Sequence, residues 1–170
     1  MVSTTVCGTV GFGSIPSAGT KNMNKENKLV PGLPSGFEDR WGEKLLLKKK
    51  LLRAIENNFI KFGAEALETP SLEISRNIGS FLAEDKANPM SDVFSFQDGD
   101  ESLTARYDLS SPLARFYAQN NQELPSIFKR YQIQNVFRNE KAGNGRYREF
   151  LQADFDIVGN VNPAQANAEL

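Results

Sequence analysis

Residues 128–159, FKRYQIQNVFRNEKAGNGRYREFLQADFDIVG, constrain the fold more than any other stretch of the chain. Phe128 to Arg138 is rich in aromatic and β-branched residues, the loop Lys141 to Gly145 carries two glycines, and Arg146 to Val158 resumes an alternating pattern. These are the signals of a long antiparallel hairpin. Side chains two apart share a face of a strand. Arg130, Gln132, Gln134, Arg138, Arg146, Arg148, Phe150, Gln152, Asp154 and Asp156 therefore line up on one side. Tyr131, Ile133, Phe137, Tyr147, Leu151, Ala153, Phe155 and Ile157 take the other, and this apolar side is the expected core. The polar side offers guanidiniums, carboxylates, amide groups and one aromatic ring, a mixture suited to a ligand with phosphate, ammonium and a flat ring. An ordinary solvated sheet face produces the same alternation. Arg138, Arg146 and Arg148 around a Gly-rich loop favour a phosphate clamp, because a guanidinium fork binds two phosphate oxygens at once.

The 170 residues suffice for one domain with its own core. They include no histidine and a single cysteine, Cys7. Histidine-based acid–base, triad or metal chemistry is thereby excluded within this sequence, as are a disulfide framework and a cysteine zinc cluster. Catalysis must rest on arginine, carboxylates and metal held by substrate. A net charge of −1 gives no global field for nucleic acid, so any such contact must be local. No apolar run approaches the ~20 residues of a membrane span, and the N-terminus lacks the basic region and apolar core of a signal peptide. The expected location is the cytoplasm.

Along the chain, residues 1–28 show no persistent periodicity and read as a disordered extension, with Met23 resembling a natural start. Pro and Gly punctuate Leu29 to Arg40. A helix is predicted from Asp39–Glu43 to about Phe62, with Leu45, Leu52, Ile55, Phe59 and Phe62 on its apolar side and Lys44, Lys48, Lys49 and Arg53 turned to solvent. Gly63 caps it, and a strand from Ala64 to Thr69 closes at Pro70. Ser71 to Ala83 is predicted as a short helix and Glu84 to Pro89 as loop. Asp92 to Phe96 and Ser102 to Asp108 are predicted as a hairpin around Asp98-Gly99-Asp100. Ser111 as N-cap and Pro112 as first helical residue open a helix that ends near Asn121. Asn162 to Leu170 has helical composition. The fold class is α+β, an antiparallel sheet flanked by helices.

Val136-Phe-Arg-Asn-Glu140, the glycine loop, then Arg146-Tyr-Arg-Glu-Phe150 resembles motif 2 of class II aminoacyl-tRNA synthetases. Gly63 to Pro70 after a long helix is similar to their motif 1, which lies at the dimer interface. LTARYDLSSPLARF at Leu103 to Phe116 and GRYREFLQADFDIVG at Gly145 to Gly159 resemble the histidyl-tRNA synthetase family, and LPSGFEDR and NAEL its alphaproteobacterial branch. The resemblance covers Leu29 to Leu170 and implies the N-terminal part of a class II catalytic domain, with motif 3, the histidine-specificity segment and the anticodon-binding domain lying beyond Leu170.

That resemblance implies that Arg138 contacts the ATP α-phosphate and the substrate carboxylate. Glu140 would read the adenine amino group, Arg146 hold the γ-phosphate and Phe150 stack on adenine. Asp108, Leu109 and Ser110, with Gln152 and Asp156, would receive histidine. Ser110 stands where the family usually has Thr, which keeps the hydroxyl. The implied reaction joins histidine to tRNA(His) through histidyl-adenylate, with Mg2+ carried on the ATP phosphates, in a homodimer. The alternative is the regulatory subunit of ATP phosphoribosyltransferase, which resembles the same core, binds histidine as a signal and tends to lose the ATP-handling residues of motif 2. A proline or threonine synthetase is disfavoured by RYDLSSP. Among other residues, Asp154 and Arg148 are expected to pair across the sheet and Arg106 to support Asp108. Arg115 is expected on a helix surface, and Trp41, Phe59 and Phe62 in the core or a dimer interface.

Overall fold

The computed structural model describes residues 30–78, 92–162 and 164. The expected extension at 1–28, the loop at 84–89, the far end of the helix predicted to Ala83 and the segment after Asn162, apart from Ala164, lie outside the described residues. The described elements run α1 (Gly42–Lys61), β1 (Glu65–Ala66), β2 (Leu72–Ile74), α2 (Ser75–Ile78), β3 (Ser95–Asp98), β4 (Glu101–Ala105), α3 (Ser110–Asn120), β5 (Ile127–Phe137) and β6 (Glu149–Gly159). They form an α+β fold with two three-stranded sheets, ordered β1-β5-β6 and β2-β4-β3.

The long hairpin is present as β5 and β6, paired antiparallel from Ile127↔Gly159 to Phe137↔Glu149. Because the paired numbers have a constant even sum, even positions face even positions across the ladder, so Arg130 meets Asp156 and Val136 meets Phe150. The second strand starts at Glu149 rather than Arg146, because Gly143 and Arg146 close a tight turn with mutual backbone hydrogen bonds of 3.2 and 3.0 Å. β1 is parallel to β5, so this sheet is mixed at one edge. Only two residues of the strand predicted over Ala64 to Thr69 join the ladder. Beyond them Leu67 donates its N–H to the Tyr131 carbonyl at 2.9 Å, and Thr69 donates to the Gln134 side chain at 3.1 Å.

Both faces of the hairpin are covered, which strand alternation alone does not anticipate. On the odd side, Phe59 of α1 sits 5.8 Å from the Tyr131 ring and 5.6 Å from Phe155. Such aromatic pairs each add ~1 kcal/mol beyond area burial. On the even side α3 lies across the far end, packing Phe116 and Tyr117 against the cluster of Leu67, Leu113 and Phe128. The deepest positions are consequently even ones, and Arg130, Gln132 and Val136 are fully buried. The expectation that the apolar odd face alone makes the core is corrected on this point.

Two local readings also change. Leu72 to Ile74 is a strand paired with β4, not the start of a helix, because Leu72-Glu-Ile alternates and β4 offers a free ladder edge. The helix begins only at Ser75, whose hydroxyl lies 2.7 Å from that of Thr104. The second hairpin has its tight turn at Gly99-Asp100, with Gly99 at φ 57°, and β4 ends at Ala105 rather than Asp108. The start of α3 is capped by Asp108, whose Oδ1 accepts the Ser111 N–H at 3.1 Å. Pro112 is the third residue of α3, still within its first turn, where its missing N–H costs nothing.

Candidate active site

The site is built where β5 ends. Arg138 follows the last β5 residue, and its N–H donates to the Arg148 carbonyl at 2.8 Å, holding both sides of the hairpin mouth together. Its guanidinium lies 4.5 Å from the Tyr107 ring centre and 5.0 Å from that of Phe150. A cation over aromatic faces gains attraction from the ring quadrupoles and is fixed in orientation by them. Arg138 Nε is buried without a hydrogen-bond partner, so this arginine is held by rings and keeps donor capacity for an anion. Tyr107 was not singled out in the sequence; the aromatic beside Asp108 in RYDLSS was the available signal. Tyr107 also donates its hydroxyl to Glu140 Oε1 at 3.2 Å, which links Arg138 and Glu140 through one ring.

Glu140 is ion-paired with Arg146, whose side chain is largely exposed at the tip of the hairpin loop. Arg148 takes a different path. Its guanidinium donates to the Asn139 side chain and to the Ser35 carbonyl at 3.4 Å, and lies 4.5 Å from the Phe94 ring centre. The expected pairing with Asp154 is therefore corrected, because Asp154 accepts both its bonds from Gln152 Nε2, at 3.0 and 2.9 Å. Arg148 is an anchor for the segment before α1, and of the three arginines expected around the loop it is the one turned away from a phosphate clamp. Gly36 makes room for it: with φ 82°, its position would put a Cβ 2.6 Å from Arg148 Cγ.

Along the even face from Phe150 run Gln152, Asp154 and Asp156. Gln152 Oε1 is buried without a hydrogen bond. Asp156 is one-third exposed and pairs at 2.7 Å with Arg130 Nη2, from a fully buried guanidinium. Burial pushes the Asp156 carboxyl above the ordinary carboxylate range, and the Arg130 charge works against that rise. Burial likewise lowers Arg130, opposed first by Asp156, then Asp154 and Asp108. Asp108 and Ser110 sit at the mouth of α3, Ser110 exposed and Asp108 half-buried. Leu109 does not face a ligand with its side chain. It is fully buried, and its carbonyl accepts from Arg130 Nη2 at 3.2 Å and from the Leu113 N–H at 3.3 Å.

Arg106 is not a support for Asp108. It is buried and donates to the Asn135 and Thr69 carbonyls, both at 2.7 Å, and to Gln134 Oε1 at 3.0 Å, so it ties the chain before β2 to β5. Arg115 is not a free surface residue either, since Nε and Nη2 hold Glu73 at 2.7 and 2.8 Å. Trp41 and Phe62 are exposed, and only Phe59 packs inward. Among the described residues no group of three acidic, histidine or cysteine side chains is placed to hold a metal ion, and no helix is long and apolar enough to cross a membrane.

Comparison with known proteins identifies the family. A family model described as histidyl-tRNA synthetase matches residues 36–170. The histidine–tRNA ligase of Pelagibacter ubique is 78% identical over 148 residues, which is 87% of this chain and 32% of that protein. That of Methylocella silvestris is 47% identical over 139 residues, covering 81% of this chain and 27% of its own. The solved histidyl-tRNA synthetase of a Nostoc species superposes with a TM-score of 0.65 at 27% identity, over 81% of this chain and 32% of that one. A Bacillus halodurans protein described as an ATP phosphoribosyltransferase regulatory subunit/histidyl-tRNA synthetase gives 0.67 at 21% identity, over 88% and 36%, and shares the fold. The chain spans about a third of the length of the curated relatives it matches.

Proposed function

Because the chain belongs to the histidyl-tRNA synthetase family, we propose that it is the N-terminal part of the catalytic domain of a class II histidine–tRNA ligase. In this reading residues 29–170 carry motifs 1 and 2, residues 1–28 are a disordered extension, and the protein works in the cytoplasm. The reaction joins ATP and histidine. A carboxylate oxygen of histidine attacks the α-phosphorus, the bond to the bridging oxygen breaks, and pyrophosphate leaves with its Mg2+. The histidyl group then passes to the terminal ribose of tRNA(His), releasing AMP.

Arg138 stabilises the charge that builds on the α-phosphate, the kind of electrostatic help worth ~3 kcal/mol per donor. Its position over the Phe150 ring, at the head of the face that continues to Gln152 and Asp156, is the observation that carries the reading. Phe150 offers its remaining face to adenine, and Glu140 reads the adenine amino group. Arg146 exchanges its bond to Glu140 for the γ-phosphate. Asp108, Ser110, Gln152 and Asp156 receive the ammonium and side chain of histidine. Mg2+ arrives as part of the nucleotide. In-line displacement needs positioning and charge more than a protein nucleophile, which suits a segment without histidine. The exposed apolar side of α1, with Leu46, Leu47 and Leu51, supports a homodimer that covers it.

The test is a chimera that joins this chain to the remaining two-thirds of the Pelagibacter ubique ligase. It should catalyse ATP–pyrophosphate exchange with histidine and not with proline or threonine, while the 170-residue chain alone shows none. A folded chimera that binds histidine without exchange would favour the regulatory-subunit reading.

A further inference from the structure

Arg130 lies on the site face, yet the proposed reaction gives it no task. Its guanidinium has no exposed surface, lies on the even face of β5 and stands directly across the ladder from Asp156. Burying a guanidinium is costly unless its donors are satisfied and its charge is matched. Nη1 donates to Gln132 Oε1 at 3.0 Å and Nη2 to the Leu109 carbonyl at 3.2 Å. Nε has no hydrogen bond. The 2.7 Å approach of Nη2 to Asp156 Oδ2 is a charge contact whose angles do not make a hydrogen bond. A group buried solely for stability would be better served by an apolar residue of the same volume, so the charge itself calls for an explanation.

The explanation is in what Arg130 joins. Leu109 lies between Asp108 and Ser110, at the start of α3, and Asp156 lies on β6. These are the two separate pieces of chain proposed to receive histidine. Arg130 touches both from behind, where no ligand reaches it. Three carboxylates, Asp156, Asp154 and Asp108, act electrostatically on the single Arg130 charge. One positive charge behind three acidic side chains leaves the acidic side in excess on the face that would receive an ammonium group, and the Arg130 charge draws Asp156 towards it across the ladder.

We propose that Arg130 is a positioning residue for the amino acid substrate, holding Asp156 in place across the ladder while tying the Asp108–Ser110 corner to the hairpin. This rests on the reading of Asp156 as a histidine-binding group. Arg130 makes no contact with the Arg138, Phe150 or Glu140 side chains among the interactions described, so its effect is confined to the amino acid and spares ATP.

The chimeric ligase described above tests this. Arg130→Met should raise KM for histidine at least tenfold in pyrophosphate exchange and leave KM for ATP within twofold. Arg130→Lys, which restores the charge, should recover most of the loss, and Arg130→Gln should not. In an Asp156→Asn background, Arg130→Met should add less than twofold. A histidine KM unchanged by Arg130→Met, or histidine and ATP constants that rise together, would show a purely structural arginine and overturn the proposal. Should Arg130→Met fail to fold, the Lys and Gln variants decide: equal histidine constants in the two refute the role of charge. If Asp156→Asn itself leaves the histidine KM unaltered, the underlying reading of Asp156 fails, whereas a raised KM there with a silent Arg130 sinks this inference alone.

Discussion

The Arg115–Glu73 pair ties the start of the second sheet to α3, and with it the corner that carries Asp108 and Ser110. Glu73 is 5% exposed and Arg115 21%, and two bonds of 2.7 and 2.8 Å join them in a fork. The shared hydrogen bond raises the Arg115 pKa further above its already high value, so the guanidinium keeps its charge. Arg115→Met keeps the aliphatic stem and removes the charge, leaving a buried carboxylate without its partner. Breaking a fully buried pair costs ~3–5 kcal/mol. Since water reaches one side of Arg115, about 2–3 kcal/mol is the expected loss here. At one decade per ~1.4 kcal/mol, amides of β2 and of the first turns of α3 that exchange through local opening should exchange roughly 30- to 150-fold faster. Hydrogen–deuterium exchange read by mass spectrometry resolves that change. Glu73→Leu with Arg115→Met removes both charges and should return most of the protection. Exchange within threefold of wild type in Arg115→Met, or a double variant as unprotected as the single one, would refute the argument that this pair holds α3 in place.

Arg138→Ala in the chimera should lower the rate constant for histidine-dependent exchange by roughly 100- to 1000-fold, the usual effect of removing one charge-stabilising donor, and a loss under tenfold would contradict its role. Asp156 titrates above the ordinary carboxylate range because burial outweighs Arg130, with Asp154 adding to the rise. Folding therefore favours its neutral form: that contribution is complete below the unfolded pKa and fades as pH rises through the folded one. Wild type should accordingly lose stability relative to Asp156→Asn as pH climbs from ~4 toward neutrality, and thermal unfolding of the two at several pH values checks the sign. Gly159 has φ 128°, and a Cβ there would lie 2.1 Å from the Ser126 carbonyl oxygen. Gly159→Ala should destabilise by more than ~1 kcal/mol in denaturant unfolding, whereas Gly159→Ala without measurable cost would show that the hairpin end relaxes freely.

Much of the site was legible in the hairpin because period-2 alternation is a local property. The sequence alone put Arg130, Gln132, Phe150, Gln152 and Asp156 on one face, and the ladder agrees. Which parts of that face stay open was not legible. Arg130 and Gln132 are buried because α3 and the segment around Thr69 cross over them, a consequence of tertiary packing with no trace in strand periodicity. Arg148 reads like its neighbour Arg146 in a basic loop, yet it turns to Asn139, Ser35 and the Phe94 ring, partners distant in sequence or without a charge signal. Tyr107 escaped notice because one aromatic in an irregular segment has no periodicity to mark it. The strand at Leu72 to Ile74 was missed since three residues are too few to separate a strand pattern from a helix start.

The even-sum alignment of the long hairpin has a consequence for how the chain zips up. Slipped by a single residue, Arg130 would come opposite Phe155 or Ile157, and a sequestered cation would meet hydrocarbon with no counter-charge. Neighbouring alignments are thus penalised at one rung once α3 covers that face. The pair acts as a key that admits a single tooth pattern, and the polar face is assembled in step because the wrong steps are closed off.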